Sequence, residues 1–280
     1  VLVVGGGMGG TILANNLARR LSGELEQGSS KITMLSASDK HMYQPGLLYV
    51  AVGKMSTSEL YRDQKSLLEA SIDFHVDPVE KFDLDNNSVT TKSGKKISYD
   101  ILCIATGSRG NAEGIPGLAE NSCQFYTEAD AVAMYKKLSK FEGGKVVVAT
   151  GVPHKCPMSP LEITFFLIDY FKKRGIWDKV DLHYTYPIGR VHSLEPVAKW
   201  AAPEFDKEGV TYETLFNMKE VVPGKVISEE DSSAEFDLLV TVPPHKGMQV
   251  IEDNELGKGG FIPTDKKKLN MEGRDNVFVL

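Results

Sequence analysis

The chain opens with Val1-Leu2-Val3-Val4-Gly5-Gly6-Gly7-Met8-Gly9-Gly10, and its fold class can be read from these ten residues. The apolar residues predict a buried parallel strand, which the glycine pattern Gly5-x-Gly7-x-x-Gly10 follows directly. Small and apolar residues then recur at helical spacing to about Leu21, and a second strand is predicted at 31–35. This order predicts a dinucleotide-binding βαβ unit, because glycines let backbone N–H groups approach a pyrophosphate at the positive end of a helix.

The position that usually binds a ribose departs from the common pattern. An acidic residue is expected at the end of the second strand, but Ser36 stands there and Asp39 is displaced. A hydroxyl is a weaker partner for a ribose than a carboxylate. We therefore expect Ser36 to make this contact, with less affinity.

A second signal lies at residues 99–108, where an apolar strand ends in Ala105-Thr106-Gly107. It resembles the return strand of flavoproteins with two dinucleotide domains, in which small residues allow close approach to FAD. Cys103, in the middle of this strand, is predicted to be a small buried thiol. In the same plan the loop holding Gln44 and Pro45 passes over the flavin ring, although these residues also suit a plain turn.

Cys156 lies where a second nucleotide domain would carry its glycines. Residues 145–151 predict another buried strand and tight turn, but Val152-Pro153-His154-Lys155-Cys156-Pro157 follows. Ser159-Pro160-Leu161-Glu162 matches a capping box, which predicts a helix just after the thiol. The helix end, Lys155 and His154 all favour a thiolate, so the loop predicts thiol redox chemistry rather than NADH binding. A loop cysteine without function is the alternative, and Glu162 either closes the capping box or handles protons.

Composition excludes several classes of protein. The chain has 280 residues, a formal net charge of −6 and 41% hydrophobic residues, so a nucleic-acid binder with a basic face is not indicated. No apolar run reaches eighteen residues. Three cysteines are too few for a disulfide scaffold, and their spacing matches no zinc site.

We predict three segments along the chain. Residues 1–112 form the first part of an FAD-binding domain, residues 113–246 a second Rossmann-like domain carrying Cys156, and residues 247–280 return to the first domain. Thr127 is predicted to cap a helix starting near residue 128. The chain begins and stops on strand residues without an initiator Met, so we expect a C-terminal part to be missing.

Together these motifs resemble the sulfide:quinone oxidoreductases, in particular their archaeal branch. The resemblance covers essentially the whole chain, including Cys123 and the segment Gly259–Asp265. It implies an α/β fold with two Rossmann-like domains in the glutathione-reductase-like arrangement, and FAD-dependent oxidation of sulfide to sulfur or polysulfide. It further implies a quinone acceptor, peripheral (monotopic) membrane association and a homo-oligomer, with no nucleic-acid partner and no metal.

The resemblance also assigns residues. Cys156 matches one of two redox cysteines, whose partner would lie beyond residue 280, and Glu162 is its candidate proton-handling neighbour. Cys123 matches a residue that can tether FAD covalently and is included with the catalytic set. The implied FAD contacts are Gly5, Gly7, Met8, Gly9, Gly10, Ser36, Ala37, Gln44, Pro45, Val79, Ala105, Thr106, Gly107, Cys123 and Pro153.

Three alternatives share parts of this pattern. A type II NADH:quinone dehydrogenase would need Gly-x-Gly-x-x-Gly after Gly151, which the sequence lacks. A flavocytochrome c-type sulfide dehydrogenase would pass electrons to a haem subunit. A catalytically silent flavin-binding protein would keep Cys156 for structural reasons alone.

Overall fold

The strands form two parallel sheets and four smaller sheets of two or three strands each. A computed structural model describes residues 1–280. The strands are β1 (Leu2–Val4), β2 (Ile32–Ser36), β3 (Lys40–Met42), β4 (Tyr61–Asp63), β5 (Ile72–Val76), β6 (Val79–Asp83), β7 (Ser88–Thr91), β8 (Lys96–Ser98), β9 (Leu102–Ile104), β10 (Ser108–Gly110), β11 (Gly144–Thr150), β12 (Val180–Tyr186), β13 (Thr211–Thr214), β14 (Met218–Val222), β15 (Lys225–Ser228), β16 (Ser233–Glu235), β17 (Leu238–Val242), β18 (His245–Gly247) and β19 (Val277–Val279).

Eight α-helices connect or cover these strands. They are α1 (Met8–Arg20), α2 (Ser22–Glu26), α3 (Gly46–Ala51), α4 (Leu118–Asn121), α5 (Glu128–Leu138), α6 (Ser159–Lys173), α7 (Glu195–Glu208) and α8 (Gln249–Asp253). No helix combines the length and the apolar character needed to cross a membrane.

The first compact unit comprises residues 1–43, 61–109 and 246–280. Its five strands are all parallel, in the order β19-β9-β1-β2-β5. Small residues of α1, Ala14 and Ala18, pack on one face of this sheet with Ile32 and Met34. The other face carries the core that includes the antiparallel meander β6-β7-β8. The resulting parallel sheet has the predicted βαβ unit at its centre.

The second compact unit comprises residues 44–60 and 110–245. Its parallel sheet has the order β13-β12-β11-β17. An antiparallel sheet, β14-β15-β16, lies between β13 and β17 in sequence. Helix α6 leaves the carboxyl end of β11 and buries Leu161, Ile163 and Leu167. Ligands of open α/β sheets bind at the carboxyl ends of the strands, so the loop between β11 and α6 occupies the functional edge of this unit.

Residues 44–60 lie in the second unit, whereas the predicted division placed them within 1–112. The reason is the apolar surface of α3, where Leu47, Leu48 and Ala51 are buried, and the helix packs mainly against α5 and also against α6. Such burial is decided by tertiary contacts, and a six-residue helix has no strong local signal.

Candidate functional sites

In the glycine loop of the first unit, backbone atoms leave no room for a Cβ at two positions, Gly5 and Gly10. Gly5 has φ +115°, and an added Cβ would lie 2.2 Å from the Ala105 carbonyl oxygen. At Gly10 an added Cβ would lie 2.0 Å from the Gly5 carbonyl oxygen, which fixes the close packing of α1 on β1. Gly7, by contrast, faces open space, with nothing within 4 Å of an added Cβ.

The start of α1 is an open anion-binding end. No side chain caps the helix at Gly7, and its first turn contains no acidic residue. The first N–H groups of a helix lack intrahelical acceptors, and the helix dipole favours negative charge there. The cradle left by Gly7 and the uncapped helix end therefore fit the pyrophosphate of a dinucleotide such as FAD.

The other predicted FAD contacts of this unit lie at strand ends. Ser36 is buried at the end of β2, where its Oγ accepts the Ser38 N–H at 3.2 Å. Gly107, with φ +77°, is exposed after β9. The Val79 side chain packs in the core, so only its backbone is free to contact a ligand. The remaining residues are exposed Met8 and Ala37, buried Ala105 and half-buried Thr106.

Gln44 and Pro45 lie at the start of the 44–60 segment. Both are exposed, and Pro45 is the residue immediately before α3. The predicted loop therefore leads into a helix of the second unit. Their proposed position over a flavin ring stays a prediction.

In the second unit, Cys156 lies in the loop between β11 and α6. The thiol is half-buried, whereas Cys103 and Cys123 are buried. Gly151, at the end of β11, packs against Pro244, since an added Cβ would lie 2.5 Å from the proline Cδ. This edge has no glycine cradle, and Glu162 places a carboxylate in the first turn of α6. The loop therefore does not fit a pyrophosphate, in agreement with the sequence.

The predicted capping box at the start of α6 is wrong. The helix begins at Ser159 itself, Met158 occupies the cap position, and no side chain caps it. The Ser159 hydroxyl instead donates to the Cys156 carbonyl oxygen at 3.0 Å. It also lies 2.5 Å from the Tyr126 hydroxyl, and Tyr126 is the donor in this pair because the serine proton is already engaged. The Ser159 oxygen therefore accepts from Tyr126 rather than from the Glu162 N–H, which donates to the Met158 carbonyl oxygen at 2.9 Å.

Tyr126 contacts residues on both sides of Cys156, Lys155 before it and Ser159 after it. The Lys155 ammonium lies 5.5 Å from the centroid of the Tyr126 ring, and the His245 ring packs edge-on at 4.5 Å. Burial lowers the pKa of Lys155, while its electrostatic interaction with Cys156 acts in the opposite direction. Lys155 and Cys156 therefore interact electrostatically, and the predicted role of Lys155 in favouring a thiolate stays a prediction.

His245 is a neutral, buried histidine. Its Nδ1 lies 2.9 Å from the Pro243 carbonyl oxygen, so Nδ1 carries the proton and Nε2 is an acceptor. Nε2 is buried and has no hydrogen-bond partner. Burial lowers the pKa of His245 to about 4, and the Lys155 charge adds to the effect. Neither Tyr126 nor His245 is a candidate from sequence, although His245 follows the carboxyl end of β17, where ligands of open α/β sheets bind.

The other candidate residues are placed as follows. Cys123 hydrogen-bonds through its backbone to Leu239 and Thr241, beside β17, and burial raises the pKa of its thiol. Cys103 is buried in β9 as expected, and burial raises its pKa to about 11. Glu162 is exposed on α6. Pro153 lies in the loop after β11, where its carbonyl oxygen accepts the His245 backbone N–H at 2.6 Å.

Comparisons with known proteins agree with this architecture. A family model described as pyridine nucleotide-disulphide oxidoreductase matches residues 1–279. The mitochondrial sulfide:quinone oxidoreductase of Mus musculus is 27% identical over 99% of the chain, and that of Dictyostelium discoideum is 29% identical over 100%. The chain spans 64% of the length of each of these relatives.

The structural comparison concerns the fold. The X-ray structure of the sulfide:quinone oxidoreductase from Aquifex aeolicus superposes with a TM-score of 0.86 at 24% identity, covering 100% of this chain and 67% of that one. The predicted α/β fold is thereby confirmed. The curated relatives confirm the resemblance to sulfide:quinone oxidoreductases, and the assignment to their archaeal branch stays a prediction.

Proposed function

The chain belongs to the pyridine nucleotide-disulphide oxidoreductase family, and we propose from that premise that it is part of an FAD-dependent sulfide:quinone oxidoreductase. The observation that carries the proposal is the half-buried Cys156 in the loop where a nucleotide-binding domain would have its glycines. The names of the curated relatives support sulfide as the donor and a quinone as the acceptor.

FAD is the proposed cofactor of the first unit. Gly7 and the uncapped start of α1 would hold its pyrophosphate, and Ser36 would contact the ribose. When bound, FAD supplies the two-electron redox chemistry that side chains lack. The residues of the chain bind and orient it.

Cys156 is proposed as the thiol that leaves when sulfide opens the redox disulfide. Sulfide attacks the disulfide between Cys156 and a second cysteine, a bond between sulfide sulfur and that second cysteine forms, and Cys156 leaves as a thiolate. The Lys155 ammonium, held over the Tyr126 ring, stabilises the negative charge that appears on the leaving sulfur. Over the complete cycle sulfide loses two electrons and its protons, and the quinone takes up two electrons and two protons.

The quinone acceptor has a consequence for location. Membrane quinones are carried in lipid, so the full protein must reach the bilayer, and we propose peripheral association for it. Homo-oligomerisation stays a prediction, which light scattering of the purified protein measures directly.

The test is anaerobic reduction of the flavin in the full-length protein. We expect sulfide, but not NADH, to bleach the flavin absorbance of the wild type. Cys156→Ser should abolish this bleaching, whereas Cys103→Ala, which removes a buried thiol of β9, should retain it. Bleaching by NADH would favour a pyridine-nucleotide dehydrogenase, and normal sulfide-dependent bleaching in Cys156→Ser would exclude the role given to the thiol.

Cys123 is proposed as a covalent tether for FAD on the basis of the family resemblance. Burial raises the pKa of its thiol, which works against the thiolate needed to form such a bond. Denaturing the protein in acid decides the point. Flavin that stays with wild-type polypeptide but is released from Cys123→Ala supports the tether, and release from both excludes it.

A further inference from the structure

A buried polar network lies beneath the glycine loop of the first unit. Gln64 is fully buried, at 0% exposure. Its amide Nε2 donates to the Thr11 hydroxyl at 2.8 Å, and its Oε1 accepts from His41 Nδ1 at 3.0 Å. The Gln64 backbone N–H donates to the Asp39 carbonyl oxygen at 2.8 Å. Both ends of the amide are therefore fixed, as a buried amide requires.

The network converges on one backbone carbonyl, that of Gly6. His41 Nδ1 lies 3.1 Å from the Gly6 oxygen and the Thr11 hydroxyl lies 3.3 Å from it. Since both acceptors of His41 Nδ1, the Gly6 and Gln64 oxygens, lack a proton, Nδ1 must carry the hydrogen and share it between them. The Thr11 hydroxyl accepts from Gln64 and donates to Gly6. His41 and Thr11 thus hold the Gly6 carbonyl directly, and Gln64 fixes both of them.

Holding the Gly6 carbonyl also orients the next N–H. In a trans peptide the C=O of one residue and the N–H of the following residue point in opposite directions. The Gly6 carbonyl points inward to His41 and Thr11, so the Gly7 N–H points away from the network. Gly7 faces open space, and it is the N-cap residue immediately before α1. A peptide rotated the other way would present a carbonyl oxygen to an anion.

We infer that His41, Thr11 and Gln64 are positioning residues that present the Gly7 N–H to the pyrophosphate of the cofactor. The inference rests on the proposed binding of FAD and extends it to residues that need not touch the cofactor. Pre-organised donors bind an anion better than donors that must reorient first. Losing the network should therefore weaken FAD binding beyond any general loss of stability.

The test measures FAD affinity and protein stability separately. The full-length protein carries Cys123→Ala so that no covalent bond retains flavin, and the stripped protein is titrated with FAD. His41→Leu and Thr11→Val should each raise the Kd for FAD about 10- to 100-fold. This is the range for losing one hydrogen bond to a charged group, here the bond from the Gly7 N–H to the pyrophosphate. His41→Asn, whose amide nitrogen can replace Nδ1, should restore most of the affinity.

Asn15 provides the matched control. It also lies on α1 and makes two hydrogen bonds to the segment after Gln64, with the Leu67 carbonyl oxygen and the Glu69 N–H, but it does not contact Gly6. Asn15→Ala should lower the unfolding temperature of the flavin-free protein while leaving the Kd within about twofold. The ³¹P NMR shifts of bound FAD should move in His41→Leu and stay in place in Asn15→Ala.

The outcomes separate this inference from the proposed function. If the parent protein binds no FAD, the proposed function fails and the inference with it. If the parent binds FAD and the His41, Thr11 and Asn15 variants weaken binding equally, the inference alone is overturned. Loss of affinity in His41→Leu with rescue in His41→Asn supports it.

Discussion

Acidification should destabilise the second unit through His245. Burial lowers the pKa of this histidine from 6.5 to about 4, so the folded protein stays unprotonated over a range in which the unfolded chain binds a proton. The stabilisation is therefore complete above pH 6.5 and is lost as the pH falls toward 4. The full difference corresponds to about 3 kcal/mol, of which about 2 kcal/mol is lost by pH 5.

The assay is urea unfolding of wild type and His245→Asn from pH 7.5 to pH 5. Asparagine retains a donor for the Pro243 carbonyl but does not titrate. The difference between the two proteins isolates His245 from His183 and His192, whose pKa values are also lowered by burial. We expect the wild type to lose about 2 kcal/mol more than the variant on going to pH 5. Parallel pH curves for the two proteins would refute the reasoning.

Three further predictions follow from burial and backbone geometry. In the reduced native protein, iodoacetamide should alkylate Cys156 but leave Cys103 and Cys123 unmodified until unfolding. Peptide mapping by mass spectrometry locates the labels, and modification of Cys103 or Cys123 at a rate similar to that of Cys156 contradicts their burial. Gly5→Ala should lower the free energy of unfolding in urea by at least about 2 kcal/mol because of the positive φ, whereas Gly7→Ala should lower it by under about 1 kcal/mol. Equal losses of unfolding free energy in the two variants would contradict this difference. Tyr126→Phe should cost about 1 kcal/mol through the lost hydrogen bond to Ser159, and unchanged stability would show that the bond contributes nothing.

The parts of the fold that sequence predicted best have local causes. The strand, glycine turn and helix at residues 1–20 are predictable because the apolar run, the glycine pattern and the helical spacing are properties of neighbouring residues. The Thr127 cap is confirmed for the same reason, since its hydroxyl accepts the Asp130 N–H at 3.1 Å within the first turn of α5. Ser159 shows the limit, because a distant residue, Tyr126, competes for the hydroxyl.

The candidate site residues also divide into those with a local sequence signal and those that only tertiary contacts reveal. Cys156 was identifiable because it interrupts a pattern expected at one place in the chain. Tyr126 and His245 come from segments far apart in sequence, and only the fold brings them to the loop. The Gln64 network has no sequence signature either, since nothing local distinguishes a buried glutamine from the exposed ones.

The interleaving of the two units also dictates an order of events during synthesis. Strands β1, β2, β5 and β9 are complete once residue 104 has been made, but β19, which pairs with β9, comes only at Val277–Val279. On the ribosome, the edge of β9 stays unpaired while residues 110–245 emerge. These residues can already form their own sheet and pack with segment 44–60, which was made earlier. Late closure of an exposed strand edge favours misassembly. The nascent chain should therefore depend strongly on chaperones in the interval before β19 emerges.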